Sequence, residues 1–341
     1  MICIRADMNE KIATGHVMRC LSVADALRIR GAEVMFVCAD DDPVLLLKER
    51  GFEAHVLGTD WQDMNSELPV LKSFLAHVNA KLLLIDSYQV NADYFSDLRK
   101  VIKTAYIDDL NDESYDPDMI ISYGIYADEG VIRNMYPEST CLTGPLYAPL
   151  NIAYEQCEPK MIKEKAENIL ILSGGSDPAG AIKKLLAICT ALDFKDIHVI
   201  MGRYHKDREE LISTYASDDR VRIDEPVPGL KEHICKADIV LTAGGSTMYE
   251  ICACGTPAVS YSLADNQNGN VHGFEKEGLI PFAGSIEDPR MPGRAADLIA
   301  KLIDDKKKRE SISVKMQNRV DGKGAERIAE ALLSITKTYN K

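Results

Sequence analysis

Short apolar runs alternate with amphipathic helical stretches twice along this chain, and that rhythm constrains the fold more than any single residue. In the first half Ile2–Ala6, Val34–Ala39, Ala54–Leu57, Leu82–Ile85, Thr104–Ile107 and Met119–Ser122 read as strands. Strands separated by helix-length segments pair in parallel through crossovers, giving a sheet with helices on both faces. From about Thr143 the pattern weakens into a stretch with Pro145, Pro149 and Pro159, followed by the charged segment Lys160–Glu167. That is where an interdomain connection belongs. The rhythm then restarts, with Asn168–Leu172, Ile197–Met201, Val221–Ile223, Asp238–Thr242 and Ala258–Tyr261 as strands. A chain of 341 residues also exceeds what one hydrophobic core usually serves, so two domains of roughly 150 residues are expected. The predicted class is α/β, with two Rossmann-like domains over residues 1–150 and 160–322 whose parallel sheets face a cleft, the default ligand site. A last helix, about Gly324 to Lys337 within residues 323–341, joins a domain that its pattern does not identify.

Composition excludes several classes. With 46% hydrophobic and 27% charged residues the chain is neither disordered nor fibrous. A net charge of −13 opposes non-specific binding to nucleic acid or anionic lipid. The one basic run, Lys306-Lys307-Lys308-Arg309, is flanked by Asp304, Asp305 and Glu310 and reads as a solvated helix end or turn. Nine cysteines, most inside apolar runs (Cys3, Cys20, Cys38, Cys189, Cys235), read as reduced core thiols. Cys252-Ala253-Cys254 is the one close pair, and without a second pair at zinc-site spacing no metal is expected. Met1 leads straight into a strand, with no signal peptide and no bilayer-length apolar run, which points to a cytoplasmic protein without stable membrane insertion.

The first half carries one arrangement with chemical content. Ala13-Thr14-Gly15-His16-Val17-Met18-Arg19 follows the first strand and opens an amphipathic stretch to Gly31. A histidine there sits at a helix start, where backbone N–H groups and the positive end of the helix dipole attract anions and disfavour an imidazolium. A neutral His16 beside an anion site suits proton abstraction near a phosphorylated substrate; the alternative is a capping or packing histidine. Arg19, one turn on, and Arg5, on the adjacent strand, are candidates to neutralise phosphate charge or to form structural ion pairs. Tyr88 is a candidate sugar contact or a rim residue.

The second half carries two glycine-serine loops at strand ends. Ser173-Gly174-Gly175-Ser176 and Gly244-Gly245-Ser246-Thr247 each follow a strand and precede a helical pattern, so their backbone N–H groups can converge on a diphosphate. Glu250, just inside the second helix, can accept both hydroxyls of a ribose or complete a capping box with Ser246 or Thr247. The amides of Asn266 and Gln267, after Asp265, offer donors and acceptors to sugar hydroxyls or N-acetyl groups, or make an ordinary turn.

In this order the second-half motifs, with Gly255-x-Pro257, resemble the donor domain of GT-B glycosyltransferases. Adding Ile4-Arg5-Ala6-Asp7, Gly15-His16-x-x-Arg19 and Asp86-Ser87-Tyr88, the chain resembles over nearly its whole length the PseG family of UDP-sugar hydrolases and their spore-coat polysaccharide relatives. The resemblance implies that His16 is catalytic; Arg5, Asp7, Gly15 and Tyr88 are expected in the substrate site, and no cofactor is expected. It also implies hydrolysis of UDP-2,4-diacetamido-2,4,6-trideoxy-β-L-altropyranose for pseudaminic acid synthesis: His16 deprotonates a water that attacks the anomeric carbon opposite UDP, with inversion. Ala13 stands where that family often has glycine, and Asp265 where glutamate is common. Two other readings share the nucleotide-binding half: a GT-B glycosyltransferase, in which an acceptor hydroxyl replaces water, and a non-catalytic UDP-sugar-binding subunit.

Overall fold

Parallel pairing runs through both sheets of the computed structural model, which describes residues 1–111, 113–173, 180–202, 205, 207–225, 227 and 229–337. The chain divides into two compact units, Met1–Ile152 with Gly322–Lys341, and Ala153–Asp321. The first unit runs β1 (Ile2–Ala6), α1 (Gly15–Ile29), β2 (Val34–Cys38), α2 (Val44–Glu49), β3 (Glu53–Val56), α3 (Met64–His77), β4 (Leu82–Asp86), α4 (Ala92–Leu98), β5 (Lys103–Ile107), β6 (Met119–Ser122), α5 (Glu129–Met135) and β7 (Thr140–Thr143). Its sheet has the order β3-β2-β1-β4-β5-β6-β7. The connections step one way from β1 and the other way from β4, so the order reverses between these two strands. At such a reversal the loops leaving adjacent strands part to opposite faces and open a crevice at the carboxyl ends.

The second unit repeats the plan with β8 (Asn168–Leu172), α6 (Ala181–Thr190), β9 (Asp196–Ile200), α7 (Arg208–Tyr215), β10 (Val221–Asp224), α8 (Lys231–Lys236), β11 (Ile239–Ala243), α9 (Thr247–Cys254), β12 (Ala258–Ser262), α10 (Asn268–Lys276), β13 (Phe282–Ser285), α11 (Met291–Asp304) and α12 (Lys306–Arg319). The order β10-β9-β8-β11-β12-β13 reverses between β8 and β11. Every strand read from the sequence is present, with ends shifted by at most one residue at either side. The two strands the sequence reading passes over, β7 and β13, are both sheet edges of four residues. β7 is half exposed and β13 is interrupted by Gly284 at φ 120°, so neither offers a continuous apolar run.

The last helix, α13 (Gly324–Lys337), joins the first unit. Arg30, just past α1, donates to Glu326 at 2.7 Å and to Glu330 at 3.0 Å, and Arg327 donates to the Leu146 carbonyl at 2.9 Å. A Cβ on Gly324 would lie 2.0 Å from the Ala148 carbonyl oxygen, so the helix starts against backbone that only glycine admits. Among the described residues no helix is long and apolar enough to cross a membrane.

The basic run departs from its expected solvated role at one residue. Asp305 accepts the Lys308 N–H at 2.9 Å as the N-cap of α12. Arg309, however, is 1% exposed. Its guanidinium donates to the carbonyls of Leu302 and Ile303 at the end of α11 and to those of Lys163 (2.7 Å) and Glu164 (3.0 Å). A cation at a helix carboxyl end satisfies orphaned carbonyls and complements the dipole. Arg309→Met, which keeps the apolar stem but strands four acceptors, is expected to lower unfolding free energy by about 2–4 kcal/mol, measured by urea denaturation.

Candidate functional site

In the first unit the reversal between β1 and β4 brings Ala6 opposite Asp86. The segment after β1 turns through Ala13, which adopts a left-handed φ of 55° and bridges to Asn9, and delivers His16 on the first turn of α1. A residue with a Cβ is strained there, which makes the glycine-to-alanine departure at this position a local cost. Gly15 opens the helix in unobstructed space.

His16 Nδ1 lies 2.6 Å from Asp86 Oδ1. With an ionised Asp86 as its partner, Nδ1 carries the proton and Nε2 keeps a lone pair able to accept one. Asp86 is itself held by Arg19, whose Nε donates to Oδ2 at 2.6 Å and Nη2 to Oδ1 at 2.5 Å, a bidentate fork. Burial opposes the charge on Asp86, but Arg19 and His16 together hold the carboxyl well below the usual range. The other end of the guanidinium donates to Asp109 Oδ2 at 2.5 Å and to the Tyr123 hydroxyl at 2.9 Å. Burial pushes the Tyr123 phenol up to about 12, so it stays neutral. Asp109 Oδ1 is buried with no hydrogen-bond partner among the described residues.

Tyr88 packs its ring edge-on against His16, centroids 4.6 Å apart, and donates to Asp109 Oδ2 at 3.2 Å while remaining 38% exposed. It therefore stands at the mouth of the cluster. Arg5 and Asp7 do not join it. Arg5 is fully buried, its Nε and Nη2 on Glu67 at 2.8 and 2.7 Å and its Nη1 2.6 Å from Asp7. Tyr94 also donates to Glu67 at 2.8 Å, and Asp7 accepts the Ala39 N–H at 2.8 Å. Both residues belong to a structural network beneath the site, the ion-pair alternative for Arg5. Arg19 likewise spends its donors inside the protein.

In the second unit Leu172 and Thr242 are partners across the β8–β11 reversal, so Ser173 and the Gly244–Ser246 loop leave the same end of the sheet. Ser173 Oγ lies 2.7 Å from His205 Nε2. Gly174, Gly175 and Ser176 lie outside the described residues. A Cβ on Gly244 would come 2.5 Å from Val271 Cγ1, whereas one on Gly245 would meet open space. Gly244 is thus fixed by packing and Gly245 is open to an incoming group. Ser246 precedes α9 without capping it, and Thr247 is the first residue of that helix.

Gln267 accepts the N–H groups of Leu263 (2.9 Å) and Gly244 (3.2 Å), and Asn270 donates to the Gly244 carbonyl at 3.2 Å. These amides shape the glycine loop, a positioning role; Asn266 is exposed. Gly255, with φ 64°, ends α9 in the left-handed conformation that lets Pro257 lead into β12.

Glu250 Oε2 accepts from the Tyr154 hydroxyl at 2.8 Å, a partner 96 residues away that no local pattern announces. Burial pushes the Glu250 carboxyl up to about 7, against the opposing pull of Tyr154. The other residues missing from the sequence reading are Asp109 and Tyr123. Asp86 and Asp109 each close or follow an apolar strand at its carboxyl end, a signal visible in Leu-Leu-Leu-Ile-Asp and Tyr-Ile-Asp-Asp.

No family model matches the chain. An uncharacterized protein of Methanocaldococcus jannaschii is 26% identical over 272 residues, covering 76% of this chain and 54% of that protein, so the chain spans about half the length of this relative. The spore coat polysaccharide biosynthesis protein SpsG of Bacillus subtilis is 25% identical over 285 residues, 81% of each chain. The UDP-N-acetylglucosamine--N-acetylmuramyl-(pentapeptide) pyrophosphoryl-undecaprenol N-acetylglucosamine transferase of Helicobacter pylori (strain G27) is 29% identical over 199 residues, 54% of this chain and 55% of that protein. Among solved structures, Acinetobacter baumannii MurG aligns with a TM-score of 0.72 at 15% identity, covering 98% of this chain and 99% of that one. The fold is that of the GT-B glycosyltransferases.

Glu250 supplies a test of the site's electrostatics. A carboxyl raised from 4.5 to about 7 on folding contributes fully while protonated, below pH 4.5, and that contribution is lost as pH rises through about 7. Glu250→Gln, neutral throughout, is expected to match the parent near pH 4 and to exceed it by about 1–3 kcal/mol at pH 8, read from denaturant unfolding at the two pH values.

Proposed function

We propose that the chain is an enzyme that breaks the anomeric carbon–oxygen bond of a UDP-sugar and transfers the glycosyl group to a hydroxyl acceptor in polysaccharide assembly. The observation that carries this reading is the His16–Asp86 pair at 2.6 Å, at the β1–β4 reversal. The similarity to SpsG and to the N-acetylglucosamine transferase supports the donor class. In the reaction Nε2 of His16 takes the proton of the acceptor hydroxyl as its oxygen bonds to the anomeric carbon. The bond from that carbon to the diphosphate oxygen breaks, and its electron pair leaves with UDP; attack opposite the leaving group inverts configuration. Asp86 stabilises the imidazolium as it forms, and Arg19 keeps Asp86 ionised. Recognition of UDP falls to the second unit: the backbone of Gly245, Ser246 and Thr247, with Gly174, Gly175 and Ser176, for the diphosphate and Glu250 for the ribose.

One observation favours hydrolysis as the second reading. His16 is only 7% exposed, beneath Tyr88, which suits a nucleophile as small as water. The substrate would then be the UDP-linked diacetamido trideoxy altrose of pseudaminic acid synthesis, and UDP and the free sugar its products.

UDP release is to be measured from UDP-N-acetylglucosamine and from the diacetamido altrose nucleotide, in water and with a glycan acceptor. Release that requires the acceptor supports transfer, and release in water alone supports hydrolysis. In either case His16→Ala and Asp86→Asn are expected to lower kcat by about 100-fold or more while leaving UDP binding unchanged. Turnover undiminished in His16→Ala would remove the assigned base.

Gly245→Ala tests the nucleotide end separately. It is expected to fold as the parent does, because its Cβ meets open space, and to weaken UDP binding about tenfold by calorimetry.

A further inference from the structure

Three cysteines that no spacing rule connects come together in the second unit. Cys157 precedes β8, Cys235 lies in α8, and Cys254 ends α9. Their sulfurs all lie within 4.8 Å of one another, and those of Cys157 and Cys254 are 3.8 Å apart. Cys235, read from the sequence as a core thiol, is exposed: α8 is a short helix that buries only Ile234. The cluster is therefore reached from solvent on one side, while Cys254 is buried on the other.

We propose that Cys157, Cys235 and Cys254 form a binding site for a thiophilic divalent cation, Zn²⁺ in the first instance, with the fourth position left to water or an outside ligand. Two thiolates on one tetrahedral zinc, with bonds of about 2.3 Å, stand about 3.8 Å apart. That is the Cys157–Cys254 separation without any rearrangement. A disulfide joins two sulfurs at about 2.05 Å and leaves the third thiol unused; a metal engages all three. Each thiol that binds gives up its proton to solvent as its sulfur–metal bond forms, and no electron is transferred.

Hydrogen bonds outside the cluster hold the cysteine segments together, so the site is organised before any metal arrives. Lys160 donates to the carbonyl of Cys235 itself and to that of Ala237 at 2.6 Å. In return Lys231, on the helix of Cys235, donates to the Ala153 carbonyl at 2.5 Å and to that of Gln156 at 3.4 Å, immediately before Cys157. The two ammonium groups also offset the negative charge that three thiolates and one divalent cation would leave. The same segment bears Tyr154, hydrogen-bonded to Glu250 one turn before Cys254 on α9. Metal bound by Cys157 and Cys254 thus braces that bond.

The test uses the reduced full-length protein, stripped with chelator and titrated with Co²⁺ and then Zn²⁺. One equivalent of Co²⁺ is expected to produce the near-ultraviolet thiolate-to-cobalt charge-transfer band and the visible bands of a tetrahedral ion, and Zn²⁺ to bleach both. Cys235→Ser, a surface change, is expected to keep the parent circular dichroism and weaken Zn²⁺ binding by about tenfold or more. Cys141→Ser, in the first unit, is expected to bind as the parent does. Absence of the charge-transfer band in the reduced parent, equal affinity in Cys235→Ser, or loss of the band in Cys141→Ser would each overturn the proposal. So would formation of a disulfide among the three cysteines by a protein that binds no Zn²⁺ when reduced. None of these readouts depends on turnover of a UDP-sugar.

Discussion

A carboxylate that stays ionised inside the protein governs the first unit. Asp86 sits at the carboxyl end of the fully buried strand β4, where an unpaired charge would be costly. The Arg19 fork makes it affordable, and the spacing of His16 and Arg19, three residues apart on one helical face, lets both reach the same group. Arg19 in turn is a largely enclosed cation that Asp109 and Tyr123 complete. The result is a charge network whose members fix one another's orientation. The tautomer of His16 follows from Asp86, and the charge of Asp86 follows from Arg19. The histidine at a helix start acquires its chemistry from these partners more than from the helix itself.

The two units place different chemistry at equivalent points of the same topology. At the β1–β4 reversal the first unit gathers charge; at β8–β11 the second presents a glycine loop shaped by the amides of Gln267 and Asn270. The contrast is physically sensible for a chain of net charge −13, which repels an anionic ligand at long range. Backbone N–H groups give a diphosphate donors without requiring countercharges. A carboxyl shifted up to about 7 beside that loop carries only part of its charge near neutral pH, so Glu250 opposes an approaching anion less than an ordinary glutamate would.

Most of the fold was legible because the inner strands of both sheets are buried on both faces and therefore read as unbroken apolar runs. The edge strands β7 and β13 lack that signal. The helix-start histidine of the first unit and the Gly244-Gly245 turn of the second are local patterns that the sequence displays, whereas their partners are not. Arg5 looks like a phosphate ligand until Glu67, 62 residues away, is seen holding it. Arg309 looks like part of a solvated run until four carbonyls converge on it. Cys157 and Cys254, 97 residues apart, form no motif. Each case has one cause: a buried charge or thiol takes its meaning from a partner supplied by tertiary packing, which spacing along the chain does not encode.

The segment that opens the second unit shows how such partners combine. Tyr154 and Cys157 are one helical turn apart, as are Glu250 and Cys254, so two pairs stack as successive rungs between this segment and α9. Lysine-to-carbonyl bonds add α8 to the same assembly. A phenol on Glu250 lowers the cost of its charge. The protonation of Glu250 is thereby tied to the packing of a segment whose own sequence, rich in charge, announces nothing more than a connection.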